Sequence, residues 1–385
     1  MEQDQSCVSK KTRKRKLQQE GDGDFGFTLD ELNEDVLERV LSWLPTSSFF
    51  RLRSVCKRWK SVASSSSFRL ACSQVPSRDP WFFMVNPHFN QSIVFDTAEK
   101  SWKNLNCPLL GQENPNCNSI PVAASGGLIC FRNSCGDFVV TNPVTGACRE
   151  LPPLDPITQS QALHAIAMSS SSENSSYKLV LVFGELPNLS INIFESGKGC
   201  WGEEIMLRRK SNDLLEPDDC GDDTLYFLSK AGDVVTTNMQ RSPSKQYSSV
   251  ITVKDEYPRL LPVFLEYSID VVECTGELLV VVLSEFLETA SLRVWKFSEV
   301  EKSWLQVAAM PPSMSHEFYG KKADINCVGS GDQVMICVNS GEFGTYVLCD
   351  LVTNEWIELP KYCVDGKAKE FMSAFSFEPR IEACV

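Results

Sequence analysis

The residues most able to do chemistry are scattered along this chain. Its three histidines, His88, His164 and His316, share no metal-ligand spacing with one another or with the carboxylates. The sixteen cysteines include no Cys-x-x-Cys pair, which argues against a zinc knuckle or a redox dithiol. The run Gly329-Ser330-Gly331-Asp332 lacks the Gly-Lys-Ser/Thr of a phosphate-binding loop. The sequence therefore predicts a non-catalytic protein without a metal or cofactor, and an enzyme with a copper or iron centre is the weakest alternative.

A dense basic cluster lies near the start of the chain, within residues 1–28. It places six cations in seven residues: Lys10, Lys11, Arg13, Lys14, Arg15 and Lys16. The surrounding residues have no apolar periodicity, so we expect a disordered tail. Such clusters suit an acidic import receptor, and we predict a nuclear protein with the cytoplasm as a second location. A solvated tail and nonspecific contact with anionic surfaces are the alternatives.

Composition narrows the possible partners. The net charge of −13 disfavours general nucleic-acid binding, because such binding neutralises phosphates with cations. The sequence contains no run of eighteen apolar residues, so no membrane-spanning segment is expected. The first residues lack the apolar region of a secretory signal, and we therefore expect free, mostly buried thiols in a reducing compartment.

Residues 29–74 form a short helical pattern with one apolar stripe. Its first helix carries apolar residues at helical spacing, namely Val36, Leu37, Val40, Leu41 and Leu44. Asn33 is a candidate N-cap, and Pro45 is expected to end that helix. Two further short helices are predicted up to Phe68. Because a unit of this size cannot build a stable core alone, we expect it to pack on the rest of the chain or on a partner.

This segment resembles an F-box, the module through which substrate receptors dock on the Skp-type adaptor of SCF (cullin–RING) ubiquitin ligases. The resemblance rests on Leu44-Pro45 and on the run Arg53-Ser54-Val55-Cys56-Lys57-Arg58-Trp59, although Asn33 stands where the family usually has proline. It implies that the adaptor, and through it a cullin–RING scaffold, is a partner. The implied adaptor-binding residues are Leu32, Leu37, Val40, Leu41, Leu44, Pro45, Val55, Cys56 and Trp59. The alternative is a helical brace that packs only on the chain's own main domain.

Beyond residue 75 the pattern changes to many short apolar runs separated by turn residues, which predicts a mainly β architecture. A repeat favours a propeller, because a carboxylate precedes a tryptophan by six positions in three places. We expect the acidic residue to open a hairpin turn and the tryptophan to lie between neighbouring blades. The copies are Asp96 to Trp102, Glu195 to Trp201 and Asp350 to Trp356, with variants at Ser298 to Trp304 and Asn142 to Cys148.

The repeat resembles kelch-type units, because Ser125-Gly126-Gly127-Leu128 carries that family's glycine pair before a strand. The prediction is a kelch-like β-propeller over residues 75–385, with six blades or, alternatively, seven, preceded by a small three-helix F-box domain. The last strand, over residues 371–377, is expected to close the ring with residues 80–95.

The combination resembles plant-type F-box/kelch-repeat receptors. By that resemblance the chain is the substrate-recognition subunit of an SCF ligase, whose propeller binds an unknown target protein for ubiquitination. The alternative is a propeller scaffold that acts without ligase assembly. Candidate target-binding loops are 108–121, 152–160, 208–221, 241–247 and 310–322.

Overall fold

A computed structural model describes residues 32–385, apart from 87, 89–90, 106, 108, 110–118, 172–175, 186–187, 210–223, 229–233, 239–249, 257–259, 261–265, 299 and 342. The basic cluster predicted as a nuclear import signal lies outside the described residues. What is described is mainly β structure preceded by a helical module.

The helical module contains four helices where the sequence predicted three. They are α1 (Glu34–Ser42), α2 (Thr46–Leu52), α3 (Lys57–Val62) and α4 (Ser66–Ser73). The Asn33 side chain caps α1 by accepting a hydrogen bond from the Asp35 N–H at 3.3 Å. The Ser65 hydroxyl accepts one from the Phe68 N–H at 3.4 Å, which begins the additional helix α4.

The rest of the described chain consists of short strands with three small helical turns between them. The helical turns are α5 (Pro156–Gln159), α6 (Pro312–Ser315) and a 3₁₀ helix (His316–Phe318). The strands are β1 (Trp81–Val85), β2 (Ile93–Asp96), β3 (Ser101–Asn104), β4 (Ile120–Ser125), β5 (Leu128–Arg132), β6 (Phe138–Thr141), β7 (Cys148–Glu150), β8 (Leu163–Ser171), β9 (Ser176–Glu185), β10 (Asn188–Glu195), β11 (Cys200–Trp201), β12 (Ile205–Arg209), β13 (Thr224–Leu228), β14 (Val234–Asn238), β15 (Val250–Glu256), β16 (Glu266–Cys274), β17 (Glu277–Phe286), β18 (Thr289–Ser298), β19 (Ser303–Ala309), β20 (Asp324–Ser330), β21 (Gln333–Asn339), β22 (Gly344–Asp350), β23 (Glu355–Glu358), β24 (Cys363–Val364), β25 (Lys367–Ala368) and β26 (Ser373–Phe377).

These strands form a β-propeller. Four of its sheets have four antiparallel strands each, in the orders β26-β1-β2-β3, β4-β5-β6-β7, β16-β17-β18-β19 and β20-β21-β22-β23. A larger sheet begins with β8-β9-β10, to which β11 and β12 both pair, and it continues through β12 to the meander β13-β14-β15. The described residues therefore form five propeller sheets beside the small β24-β25 hairpin, and the predicted count of six or seven blades is not confirmed.

The inner strands of neighbouring sheets pack on one another around a central axis. β16 packs on β20, β20 on β26, β26 on β4, and β4 on β8. The ring is closed by β26, which pairs with β1 from the start of the propeller, Phe377 lying opposite Trp81. The predicted closure of the last strand on residues 80–95 is confirmed.

The sequence repeat corresponds to the outer hairpin of each sheet. Phe95 lies opposite Trp102, Phe194 opposite Trp201, and Cys349 opposite Trp356. The turn chemistry is also as predicted, because Asp350 Oδ1 accepts hydrogen bonds from the backbone N–H groups of two following residues, at 3.0 and 2.8 Å. The side chains of Asp96, Asn142 and Ser298 accept turn N–H groups in the same way, whereas at Glu195 the backbone carbonyl oxygen accepts them.

The tryptophan of the repeat lies between two sheets, as predicted. The Trp102 indole N–H donates to the carbonyl oxygen of Pro360 at 2.8 Å, and that of Trp201 donates to Pro152 at 2.7 Å. Trp102 also stacks on Phe371 with ring centroids 5.7 Å apart. Because each acceptor follows the outer strand of the preceding sheet, these indoles join neighbouring sheets rather than filling a single one.

Candidate partner-docking surfaces

Helix α1 carries two apolar stripes on different sides. Leu37 and Leu41 are 1% and 2% exposed and lie in the core of the helical module. That core also contains Phe49, Val62, Phe68 and Cys72, with Leu44, Leu52, Trp59, Ala63 and Ile381 packed against it. The module therefore has a small core of its own, to which Ile381, from the end of the chain, contributes.

The second stripe of α1 faces solvent. Val36, Val40 and Trp43 are 48%, 52% and 57% exposed and follow one another at i, i+4 and i+7, so they share one helical face. Val55 and Leu70, elsewhere in the module, are 65% and 63% exposed. Five large apolar side chains left in water on so small a unit are typical of a protein interaction surface.

The nine residues predicted to bind an adaptor are divided by the structure. Those exposed are Val40, Pro45, Val55 and Cys56, and those partly buried are Leu32, Leu44 and Trp59. Leu37 and Leu41 offer no surface to a partner in this structure, because both side chains point into the core. The sequence analysis missed Val36, Trp43 and Leu70 as surface residues, because their spacing is helical on either side of α1 and does not tell which side faces the core.

Polar contacts hold the helical module on one face of the propeller. The Arg78 guanidinium donates to the carbonyl oxygens of Ser42 at 2.9 Å and Leu44 at 3.2 Å, at the end of α1. On α2, the Thr46 hydroxyl donates to the carbonyl oxygen of Pro379 at 2.7 Å, and the Ser47 hydroxyl donates to the carboxylate of Asp96, which lies at the end of β2. The module is therefore a docked unit with a defined position.

The docked face can be specified by strand direction. We call it the lower face, where each inner strand ends, because the segment after β26 and the turn after β2 both contact the module. The opposite, upper face carries the connections that lead from the outer strand of one sheet to the inner strand of the next. The predicted target-binding loops 152–160, 310–322 and 108–121 are such connections of the upper face. Most residues of loop 108–121 lie outside the described part of the chain. The same holds for most of loop 208–221 and for all of loop 241–247.

Two cavities open near the connections of the upper face. The first, of about 460 Å³, is lined by Ser160, Gln161, Ala162, Gly184, Ser190, Glu204 and Met206. The second, of about 380 Å³, is lined by Asp324, Ile325, Asn326, Asn339, Ser340, Phe343, Gly344, Glu370, Phe371 and Met372. Both lie on the face that the helical module leaves open.

The described residues do not assemble a metal centre. Among them, no group of three or more His, Cys, Asp or Glu side chains is placed to hold a metal ion. His164 contacts the carbonyl oxygen of Gly184 through Nε2 at 2.7 Å, and His316 stacks on Tyr319. Burial raises the pKa of the Cys130 and Cys337 thiols to about 12, so both stay neutral at physiological pH.

In the described part of the chain, no helix is long and apolar enough to cross a membrane.

Comparison with known proteins identifies both parts of the chain. Residues 29–71 match the family model of the F-box domain, and residues 94–315 match the KIB1-4 β-propeller. The chain is a plant F-box protein with a KIB1-4-type propeller. The family model that matches the propeller is the KIB1-4 type. The assignment of the repeat to the kelch type stays a prediction.

Relatives of this F-box protein align with most of its length. F-box only protein 13 of Arabidopsis thaliana is 50% identical over 396 residues, which cover 93% of this chain and 86% of the relative. F-box only protein 6 of the same plant is 26% identical, covering 86% of this chain and 69% of the relative. An F-box/kelch-repeat protein of Arabidopsis is 27% identical, covering 92% and 90%.

Proposed function

We propose that this chain is the substrate-recognition subunit of an SCF (cullin–RING) E3 ubiquitin ligase. Its F-box docks on a Skp-type adaptor, and its propeller binds a target protein for ubiquitination. The observation that carries the proposal is the exposed stripe Val36, Val40 and Trp43, on a module that matches the F-box family and already has its own core. The stripe is not needed for that core, so a partner is the natural explanation for it.

The stripe can supply a useful part of the binding free energy. Fully burying a valine-sized side chain is worth about 1.5–3 kcal/mol, and these residues are about half exposed, so roughly 1 kcal/mol each remains for a partner. Trp43 is the best candidate hot spot, because tryptophan is enriched among the residues that dominate interfaces. Its replacement by alanine is expected to cost about 2 kcal/mol or more, about a thirtyfold loss of affinity.

The test is calorimetric titration of the full chain with a purified Skp-type adaptor. The variant Val40→Ala/Trp43→Ala is expected to fold normally and to bind at least about thirtyfold more weakly. A matched control is Leu305→Ala/Val307→Ala, because these side chains of β19 are similarly exposed, at 42% and 39%, but lie on the propeller. Unchanged adaptor affinity in the stripe variant, or equal loss in the control, would contradict the proposal.

A scaffold without ligase assembly is the second candidate function. The observation in its favour is that Arg78, Thr46 and Ser47 already join the helical module to the propeller, as a brace would. The two functions differ in one result. A brace leaves the wild-type chain without measurable adaptor binding, and the propeller's own partner then becomes the whole function.

In this proposal the chain itself performs no chemistry. It would hold the target at high local concentration near ubiquitin-transfer machinery that its partners supply, so its contribution is positional. The upper face is the proposed target site, because the lower face is occupied by the helical module. Adding the isolated chain to a target without the other ligase subunits is expected to give no ubiquitination.

We also propose that the meander β13-β14-β15 is a degenerate sixth blade. Its three strands occupy the long interval between Trp201 and Trp304, where the repeat has no visible tryptophan. Its pairing with the neighbouring sheet runs through the parallel contact of β12 with β15. An experimental structure showing six separate sheets around the axis would establish the count, and five would refute it.

Nuclear localisation is proposed from the basic cluster alone. A fluorescent fusion of the full chain is expected to concentrate in the nucleus. Changing Lys14, Arg15 and Lys16 together to alanine halves the charge of the cluster, so the variant fusion should be imported less well. Equal nuclear signal in the two fusions would contradict this function of the cluster.

A further inference from the structure

The lining of the first cavity of the upper face includes a buried hydroxyl group that the fold does not satisfy, and a second unsatisfied group lies two residues away on the same strand. Ser190 is 3% exposed and lines the cavity, and its hydroxyl oxygen has no hydrogen-bond partner among the described residues. Asn192, two residues further along β10, is 7% exposed, and its Oδ1 likewise lacks a partner within the described chain. Leaving a buried polar group unpaired costs about 1–3 kcal/mol, so such groups require an explanation.

The strand register places these groups and an acidic side chain on one side of the sheet. Ser190 lies opposite Met206 in the antiparallel pair of β10 and β12. Side chains alternate along a strand, so Asn192 shares the side of Ser190. Glu204 directly precedes β12, and it lines the cavity together with Met206. Ser190, Glu204 and Met206 all line the cavity, which confirms that they face a common space.

The cavity wall is fixed by backbone contacts. The Gly184 N–H donates to the carbonyl oxygen of Ala162 at 3.1 Å, and the Gly184 carbonyl oxygen contacts His164 Nε2 at 2.7 Å. The pairing of β8 with β9 shifts register beside this point, between Leu163 and Ala165. Both backbone groups of Gly184 are therefore occupied, and the side chains of Gln161, Ser190 and Glu204 are the polar lining groups that can bind a ligand.

The chemistry of the site selects a ligand rich in hydrogen-bond donors. The Glu204 carboxylate accepts hydrogen bonds, and the Ser190 hydroxyl and the Gln161 amide oxygen can accept them as well. Among the cavity-lining residues, Glu204 is the one charged group. The guanidinium of arginine carries five N–H donors, no acceptor and a permanent positive charge, and its aliphatic part can lie along Met206. The cavity volume lies within the range of roughly 300–1,000 Å³ that small-ligand sites show.

We propose that this cavity is a subsite for an arginine side chain of the target protein. The guanidinium pairs with the Glu204 carboxylate and donates to the Ser190 hydroxyl, while its methylene groups contact Met206. That the arginine belongs to a ubiquitination target rests on the proposed function, whereas the preference of the cavity for a guanidinium does not. The subsite lies on the face opposite the F-box, so both partners can be bound at once.

The test uses the full chain with ¹³C-labelled methionine methyl groups. The Met206 methyl signal, assigned with a Met206→Leu variant, is followed while acetyl-Gly-Arg-Gly-amide is added. We expect a saturable shift of this signal. The matched ligand is the same peptide with citrulline, which keeps the shape and loses the charge. Because Glu204 is exposed, we expect citrulline to bind about twofold to fivefold more weakly. The buried methionines Met310 and Met335 should not shift, and they report that the fold is intact.

Two variants distinguish specific recognition of the guanidinium from a general attraction of the peptide to an acidic chain. Glu204→Gln is expected to make the arginine and citrulline peptides equivalent, and Ser190→Ala to weaken arginine binding about fivefold to tenfold. An unmoved Met206 signal, or equal affinity for both peptides in the wild-type chain, would overturn the proposal. Adaptor affinity should be the same in both variants as in the wild type, so failure of the subsite and failure of the ligase function give different results.

Discussion

The Arg380 side chain connects the segment after β26 with the linker between α4 and β1, and it provides the sharpest test of how the helical module is held. It is 12% exposed and forms ion pairs with Glu378 at 2.6 Å and with Glu382 at 3.0 Å. It also donates to the carbonyl oxygens of Val75 at 3.1 Å and Pro76 at 3.0 Å, in the linker between α4 and β1. Replacing Arg380 by alanine removes all of these contacts at once and should loosen the linker from the propeller.

The size of the effect follows from burial. Removing one partner of a fully buried ion pair costs about 3–5 kcal/mol, because the other charge is left without compensation. The Glu378 side chain is 30% exposed and that of Glu382 is 10% exposed, so water recovers part of this loss. We therefore expect about 2–3 kcal/mol for Arg380→Ala, which is roughly a thirtyfold to 150-fold increase in local opening of the linker.

The assay is native-state hydrogen exchange of the full chain, followed by mass spectrometry on peptides that cover residues 66–80. The matched control is Arg51→Ala, because Arg51 also joins the module to the propeller, through Glu99 at 2.6 Å, but its side chain is 67% exposed. A surface pair of this kind is worth about 0–1 kcal/mol, at most about a fivefold change. Equal exchange rates in the two variants would refute the reasoning that burial makes Arg380 the anchor.

Three further predictions concern packing and charge. Leu41→Ala should lower the unfolding free energy of the helical module by about 2–5 kcal/mol, because Leu41 is buried. Val40→Ala, at an exposed position, should change the same free energy by less than about 0.5 kcal/mol. Denaturant titration followed by the exchange protection of α1 compares the two variants. Gly329→Ala should lower the thermal midpoint, because an added Cβ would overlap the backbone of Glu273 on the neighbouring inner strand; equal midpoints in calorimetry would contradict this. Burial raises the pKa of Asp270, so its folded form keeps a proton at a pH where the unfolded form has lost it. Its contribution to stability therefore falls as pH rises above about 3.9, and Asp270→Asn should remove that decline in urea titrations at several pH values.

The propeller hairpins could be predicted from sequence because their chemistry is local. An acidic, Asn or Ser residue opens a tight turn through its own side chain, and the tryptophan follows at a distance that the turn length fixes. The turn does not require a carboxylate. At Ser298 the hydroxyl accepts a hydrogen bond from the Glu301 N–H at 3.1 Å, in the position where other sheets have an acidic side chain. The meander β13-β14-β15 lacks the tryptophan, and the larger sheet that contains it could not be read from the repeat.

The exposed apolar stripe of α1 was harder to predict because this helix is apolar on two sides. Leu37 and Leu41 repeat at helical spacing, and so do Val36 and Val40, so periodicity alone cannot decide which pair faces the core. The decision is made by long-range packing, including Ile381 from the far end of the chain. The anchoring by Arg380 is likewise invisible in the sequence, because its partners Val75 and Pro76 contribute only backbone carbonyl groups.

The pairing of β26 with β1 has a consequence for how the molecule folds. The residues that close the ring are followed at once by Pro379, Arg380 and Ile381, which hold the helical module. Contacts between such distant parts of a chain form late, because the chain must first lose the conformational entropy of the long loop between them. Ring closure and the docking of the module should therefore occur together. Until then, β1 presents an open strand edge, and the helical module and the propeller have no fixed position relative to each other.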